Sequence, residues 1–221
     1  MLDLLSKIVG AGLGIGLVSY TGSSSDLFLQ LHYCSIALTQ KKKVLLISSN
    51  LNESQYRQIF AKLAIRWIPT LISVLELDSF FGSDLCVDVD RLEEELIKLL
   101  DSDSAPSLLI FDDASVLERI GMKSSAVVCL LHSLYNRLPA DGLLLASFSM
   151  RTKAFYAMDS KGDFVIDVSP IGLGFGKDVN GKMKITVWRT DTIPNVTELL
   201  YTTGDRSIKC FYPGAKSFMA M

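Results

Sequence analysis

The chain has 221 residues, of which 49% are hydrophobic, and its formal net charge is −2. This length fits one large domain over residues 1–221 better than two small ones, and it allows a substantial core. The slightly acidic balance excludes a basic field over the whole surface, so nucleic-acid contact would need a local patch. Four widely spaced cysteines form no CxxC pair: Cys34, Cys86, Cys129 and Cys210. We therefore expect a reduced intracellular protein with no bound metal and no cofactor.

The segment Ile8–Val18 is apolar and rich in glycine. It is too short to span a bilayer and lacks the basic start and cleavage site of a signal peptide, so we expect no membrane association. We interpret residues 1–14 as a flexible entry segment. The glycines at positions 10, 12, 14 and 16 do not fit the dinucleotide fingerprint G-x-G-x-x-G, and they precede the first strand instead of following it.

The first 150 residues alternate between predicted strands and helices. The predicted strands are largely apolar runs, which is typical of a parallel sheet covered on both faces: Ile15–Tyr20, Val44–Ser48, Leu71–Leu75, Leu108–Phe111 and Leu143–Phe148. The predicted helices are Ser24–Leu38, a helix from about Glu53 to Leu63, Val89–Leu100 and Ser124–Leu138.

The last 70 residues are mostly strand, with predicted strands at Phe164–Val168, Lys184–Trp188 and Ser207–Tyr212. The pattern predicts an α/β fold, with a doubly wound, mostly parallel sheet flanked by helices and an antiparallel extension at the C-terminal end.

The turn after the first strand is the first place to look for a ligand, because parallel sheets bind ligands at the carboxyl ends of their strands. A phosphate-binding loop needs G-x-x-x-x-G-K-[ST]. This turn keeps one glycine and several hydroxyls, at Gly22, Ser23, Ser24 and Ser25. The positions of the second glycine, the lysine and the magnesium-binding hydroxyl are Leu27, Phe28 and Leu29. We therefore interpret the turn as a degenerate phosphate loop without productive ATP hydrolysis.

The run Leu108–Phe111 followed by Asp112 and Asp113 has the form of a Walker B strand, in which a carboxylate holds magnesium. Without a phosphate-binding lysine, we favour a structural role, in which the two carboxylates cap the segment Ala114–Gly121. The two histidines, His32 and His132, lie in predicted helices, and we expect them to serve surface or packing roles.

A basic and aromatic cluster follows the strand Leu143–Phe148. Arg151 and Lys153 lie close to Phe155 and Tyr156, with Lys161 further on. Such residues on a loop at a strand end can pair with phosphates and stack on bases. A solvated loop is the simpler interpretation, and RNA contact by Arg151, Lys153 and Lys161 is the alternative.

Three blocks in the second half, taken in order, resemble the sixth subunit of the Elongator complex. They are Leu108–Leu117 with Gly121 and Met122, then Gly172–Gly181 followed by Lys184–Trp188, and finally Ser207–Gly214. The first half agrees mainly in pattern, and residues 50–106 match poorly.

This resemblance implies a RecA-like fold without functional Walker motifs. It further implies a structural, non-catalytic subunit that forms a hetero-hexameric ring with Elongator subunits 4 and 5. The ring binds transfer RNA and works with the catalytic Elongator subcomplex, which modifies the wobble uridine. We expect cytoplasmic residence and leave the nucleus open, because Lys41–Lys43 is too short to count as an import signal.

Other classes of protein stay open. An active P-loop ATPase would need a phosphate-binding lysine, and a subunit of another RecA-like assembly, such as a recombinase-paralogue complex, would differ in its partners. A Rossmann-like methyltransferase has only the early glycines and carboxylates such as Asp112 in its favour.

Overall fold

The computed structural model describes residues 2–10, 13–21, 24–80, 89–101, 105–171, 179–188, 193–204 and 207–214. Gly22, Ser23 and most of the glycine-rich block, residues 172–178, lie outside these ranges. The helices are α1 (Asp3–Val9), α2 (Leu27–Thr39), α3 (Glu53–Lys62), α4 (Val89–Leu100), α5 (Ser115–Arg119), α6 (Ser124–Asn136) and α7 (Lys153–Asp159), with a 3-10 turn at Leu77–Phe80. The strands are β1 (Gly14–Tyr20), β2 (Val44–Ser48), β3 (Ile72–Glu76), β4 (Leu108–Phe111), β5 (Leu143–Phe148), β6 (Phe164–Pro170), β7 (Gly181–Val187), β8 (Asn195–Thr203) and β9 (Ile208–Phe211).

All nine strands join one sheet in the order β3-β2-β4-β5-β1-β6-β7-β8-β9. The pairs from β3 across to β6 are parallel, and β6, β7, β8 and β9 pair antiparallel. The non-sequential order of the parallel strands needs helical crossovers, which the chain supplies between them. The predicted fold class, with its antiparallel extension, is confirmed.

Helices cover both faces of the parallel part of the sheet, which explains why its strands are largely apolar. Leu108 and Ile110 of β4 belong to a core shared with α1, α2 and α3, whereas Leu109 and Phe111 belong to the opposite core, shared with α4, α5, α6 and α7. Successive side chains of a strand point to opposite faces, so a strand between two helical layers must be apolar throughout.

The N-terminal segment differs from the expected irregular entry. Residues 3–9 form α1, and both Leu2 and Leu5 are fully buried against the core. Two of the glycines that follow this helix are required by the local structure. A Cβ atom on Gly16 would lie 2.2 Å from the ring of Phe164, and Gly14 has a φ of +90°, in the region that favours glycine.

Further elements, α7 and β8 among them, were not predicted. The basic segment after β5 is the helix α7, which begins at Thr152 because the Thr152 hydroxyl accepts a hydrogen bond from the Phe155 amide. Strand β8 pairs with both β7 and β9 and completes the antiparallel part. Among the described residues, no helix is long and apolar enough to cross a membrane.

Candidate functional site

The carboxyl ends of β1, β2, β4 and β5 meet at one edge of the sheet, because these strands are parallel and neighbouring. Polar residues end each strand or follow it directly: Ser19 and Tyr20, Ser48 and Ser49, Asp112 and Asp113, and Ser147 and Ser149. This carboxyl edge is the place where a nucleotide would bind in a fold of this kind.

Asp112 is buried and uses both carboxylate oxygens within the protein. Its Oδ1 accepts from the amide and the hydroxyl of Ser49, each at 2.8 Å. Its Oδ2 accepts from the Ser48 hydroxyl at 2.6 Å and from the Asn50 amide at 3.2 Å. Asp112 therefore fixes the turn that leads from β2 to α3. The sequence had indicated that Asp112 caps the segment after β4, but its hydrogen bonds are made to the turn after β2 instead.

Asp113 is engaged in the same way on the other side. Its oxygens accept from the amide and hydroxyl of Ser115, from the amide and hydroxyl of Ser149, and from Arg119 at 2.9 Å. The contact with Ser115 holds the first residue of α5, whose N-cap position is Ala114, and the contacts with Ser149 tie this turn to the end of β5. Neither carboxylate has an oxygen left without a hydrogen bond.

A third buried carboxyl lies at the N-cap position of α2. The Asp26 side chain makes no capping hydrogen bond and turns inward, where it accepts from the Gln30 amide at 2.8 Å. Gln30 in turn accepts from the Tyr56 hydroxyl at 3.3 Å. Burial raises the pKa of Asp26 to about 6, against the smaller opposing effect of its hydrogen bonds.

In the described part of the turn that corresponds to a phosphate loop, the serine hydroxyls form hydrogen bonds with the protein backbone. The Ser24 hydroxyl donates to the Thr21 and Val168 carbonyls and accepts from the Thr21 amide, and the Ser25 hydroxyl accepts from the Leu27 amide. Phe28 is buried in the first turn of α2, where a lysine would have to reach a phosphate. With Asp26 buried beside it, this helix start holds a carboxyl where a phosphate loop would have a cation.

Arg151 lies at the same edge and is held by the protein. It pairs with Asp167 at 2.5 Å, lies near the Ser19 hydroxyl and covers the face of Phe155, with 5.5 Å to the ring centroid. Lys153 is the first residue of α7 and is exposed, whereas Lys161 follows the last residue of that helix. A helix of seven residues is about 10 Å long, so the two lysines lie near opposite ends of it. The structure thus brings Arg151 and Lys153 together and separates Lys161 from them.

The residues that saturate the edge were missed from the sequence, although a signal was present. Serine hydroxyls lie at or just after the ends of two of these strands, at Ser48 and Ser49 for β2 and at Ser149 for β5. Their role depends on strand order, which brings β2 and β5 to either side of β4. Within the described ranges, no three histidine, cysteine, aspartate or glutamate side chains are placed to hold a metal ion.

Comparison with known proteins identifies the fold. The chain matches a solved structure of a KaiC-like protein from the hyperthermophilic archaeon Pyrococcus horikoshii with a TM-score of 0.61 and 12% identity, over 90% of each chain. No protein-family model and no curated protein matches the sequence. The sheet order and this structural likeness show that the chain has a RecA-like α/β fold.

Proposed function

We propose that this chain is a RecA-like subunit that does not hydrolyse a nucleotide, and that it works as a structural member of a hetero-oligomeric ring. The observation that carries this proposal is that the carboxylates at the carboxyl edge, Asp112 and Asp113, already accept hydrogen bonds from the protein on every oxygen; we call this the saturated edge. Asp112, the residue in the Walker B position, accepts four hydrogen bonds from the protein, and Asp26 places a buried carboxyl at the start of α2.

The physical reason is electrostatic. A triphosphate with magnesium needs a cation and free carboxylate oxygens near the start of α2. The described part of the edge offers Asp26, Asp112 and Asp113 there, and the two arginines beside them are already paired with Asp113 and Asp167. Bringing phosphate oxygens to this place would require breaking these hydrogen bonds and desolvating like charges.

The particular ring we propose is the one formed with Elongator subunits 4 and 5, which supports transfer-RNA binding and wobble-uridine modification by the catalytic subcomplex. The support is the resemblance in the blocks Leu108–Leu117, Lys184–Trp188 and Ser207–Gly214, together with the RecA-like fold. Neighbours in a closed ring of this kind contact one another through two different faces, and a subunit without catalysis can keep both. Met150 and Tyr156, each exposed by about half or more beside Arg151, add apolar surface suited to such a contact.

The test is affinity purification of the tagged chain from its own cells, followed by mass measurement of the intact complex. We expect a hexamer with two copies each of three RecA-like chains. A complex with other RecA-like partners would replace the Elongator assignment by the recombinase-paralogue alternative. A monomer or a homo-oligomer would contradict the ring itself.

Transfer-RNA contact is a second part of the proposal, and it rests on Lys153 more than on Lys161. Lys153 is exposed beside Arg151, Phe155 and Tyr156, whereas Lys161 lies beyond the far end of α7. In the purified ring, Lys153→Ala should weaken transfer-RNA binding and reduce the slope of affinity against salt by about one. Lys161→Ala is the matched control. An unchanged slope for Lys153→Ala would remove this residue from the RNA site.

A further inference from the structure

A long groove runs along one side of α2, on the sheet face opposite α4 and α6. It consists of two neighbouring hollows of about 710 and 300 Å³, and Leu63 and Ile208 line both of them. The walls are the α3 side, residues 59–68, and the strand side, residues 201–209. We call this feature the α2 groove.

One face of α2 forms the floor of the groove from end to end. The floor residues recur at helical spacing, which places them on one side of the helix: Leu27, Phe28, Leu31, Ser35, Leu38 and Thr39. Since α2 has 13 residues, the groove is about 20 Å long, the length of a helix of three to four turns. Leu63, Ile65, Ile68 and Ile208 add apolar surface along the walls.

Among the described residues that line the groove, the charged side chains are all positive. Lys62 lies at the smaller hollow, and Arg66 and Lys209 lie on opposite walls of the larger one. No aspartate or glutamate is among the described lining residues, and none of the three cations forms an ion pair within the described part of the chain. Like charges that face one another across an apolar floor are stabilised by an occupant with negative charge.

We propose that the α2 groove binds an acidic amphipathic helix of a partner protein, with an apolar stripe on the floor and carboxylates toward Lys62, Arg66 and Lys209. An amphipathic helix laid into such a groove uses anchors at i, i+3, i+4 and i+7, which suits a floor of this length. The apolar floor favours a peptide over nucleic acid, because phosphates and sugars gain nothing from leucine and isoleucine side chains. This proposal goes beyond the ring assignment and is independent of it.

The test places a photo-crosslinking amino acid at Thr39 or Ser207, both of which line the groove and are exposed, in the full chain expressed in its own cells. Adducts are mapped to the partner peptide by mass spectrometry. We expect them on a segment with carboxylates on one side and apolar residues at helical spacing on the other. That segment is then synthesised and titrated against the full chain.

Charge reversal decides the role of the cations. The double variant Lys62→Glu/Arg66→Glu should weaken binding of the synthesised segment by about tenfold or more. Lys123→Glu, an exposed lysine before α6 on the opposite face, is the control and should leave binding unchanged. Adducts only on RNA or on a second copy of this chain, no adduct at either position, or binding unaffected by the double reversal would each overturn the proposal.

Discussion

Two regions of this molecule differ in whether their charged side chains have partners within the chain. At the carboxyl edge of the sheet, Asp112 and Asp113 accept hydrogen bonds on every oxygen, and their donors are residues of the same chain. In the α2 groove, Lys62 and Arg66 form no ion pair with any described residue. Buried groups satisfied from within hold a fold together, whereas exposed groups left without partners are available to another molecule.

The largest effect should come from removing an acceptor at the saturated edge. Asp113→Ala leaves the amide and hydroxyl donors of Ser115 and Ser149 without their acceptor, in a site that is 2% exposed. We expect a loss of about 4 kcal/mol in the free energy of unfolding, measured by urea titration. Asp78→Ala, at an exposed carboxylate, is the control and should change stability by less than about 0.5 kcal/mol. Equal effects of the two changes would remove the structural role of Asp113.

A second internally satisfied group lies where α1 meets α2, and it should give a pH dependence. The Leu2 amide donates to Nδ1 of His32 at 3.3 Å, so Nε2 carries the proton and faces the Ser6 hydroxyl at 3.1 Å. Burial lowers the pKa of His32 to about 4. The unfolded chain therefore binds a proton that the folded chain rejects, and stability falls as the pH drops from 6.5 to 4.

This loss should reach up to about 3 kcal/mol at the acid end of the window. The measurement is unfolding free energy against pH, for the native chain and for His32→Gln, in which that part of the slope should vanish. His132→Gln, at a less buried histidine, should keep it. A native chain whose stability does not fall between pH 6.5 and 4 relative to His32→Gln would contradict this role.

Asp26 should give the opposite slope. Its pKa is raised to about 6, so the folded chain binds a proton more tightly than the unfolded chain, and stability falls as the pH rises from about 4 to 6. Asp26→Asn keeps the shape and removes the charge, so it should stabilise the protein by roughly 2 kcal/mol at pH 7.5 and by nothing at pH 4. Destabilisation at pH 7.5 would mean that the ionised carboxyl has a partner at this edge.

The smallest expected changes in unfolding free energy are those of alanine variants at two exposed arginines. Arg119→Ala removes the charge partner of buried Asp113 and should cost about 1 kcal/mol. Arg66→Ala removes a cation of the groove that has no partner among the described residues, so the change in unfolding free energy should be close to zero. A larger cost for Arg66→Ala would show that this cation has a role within the fold.

The fold was predictable from the sequence where the residues of a single strand are enough to identify that strand. Runs such as Leu108–Phe111 and Leu143–Phe148 are buried throughout and apolar except for Ser147, which is typical of strands between two helical layers. Helix α1 was missed because its seven residues precede a run of glycines, and its stability comes from the burial of Leu2 and Leu5 against distant elements.

The site was predictable only in part, for a reason of topology. The sequence places Asp112 and Asp113 at a strand end, but it does not say which neighbouring turn supplies their donors. Those donors, Ser49 and Ser149, are 63 and 36 residues away from their acceptors along the chain. The α2 groove was not predicted because its two walls come from segments about 140 residues apart.

The central claim is that the carboxyl edge is structural and does not handle a nucleotide. The most direct measurement is calorimetric titration of the purified full chain with ATP and magnesium, followed by an assay for released phosphate in the same sample. We predict no saturable heat of binding and no phosphate release above that of buffer, because Asp112 and Asp113 are already engaged and Asp26 lies at the start of α2. Saturable binding of one nucleotide per chain, or phosphate release proportional to chain concentration, would contradict the account.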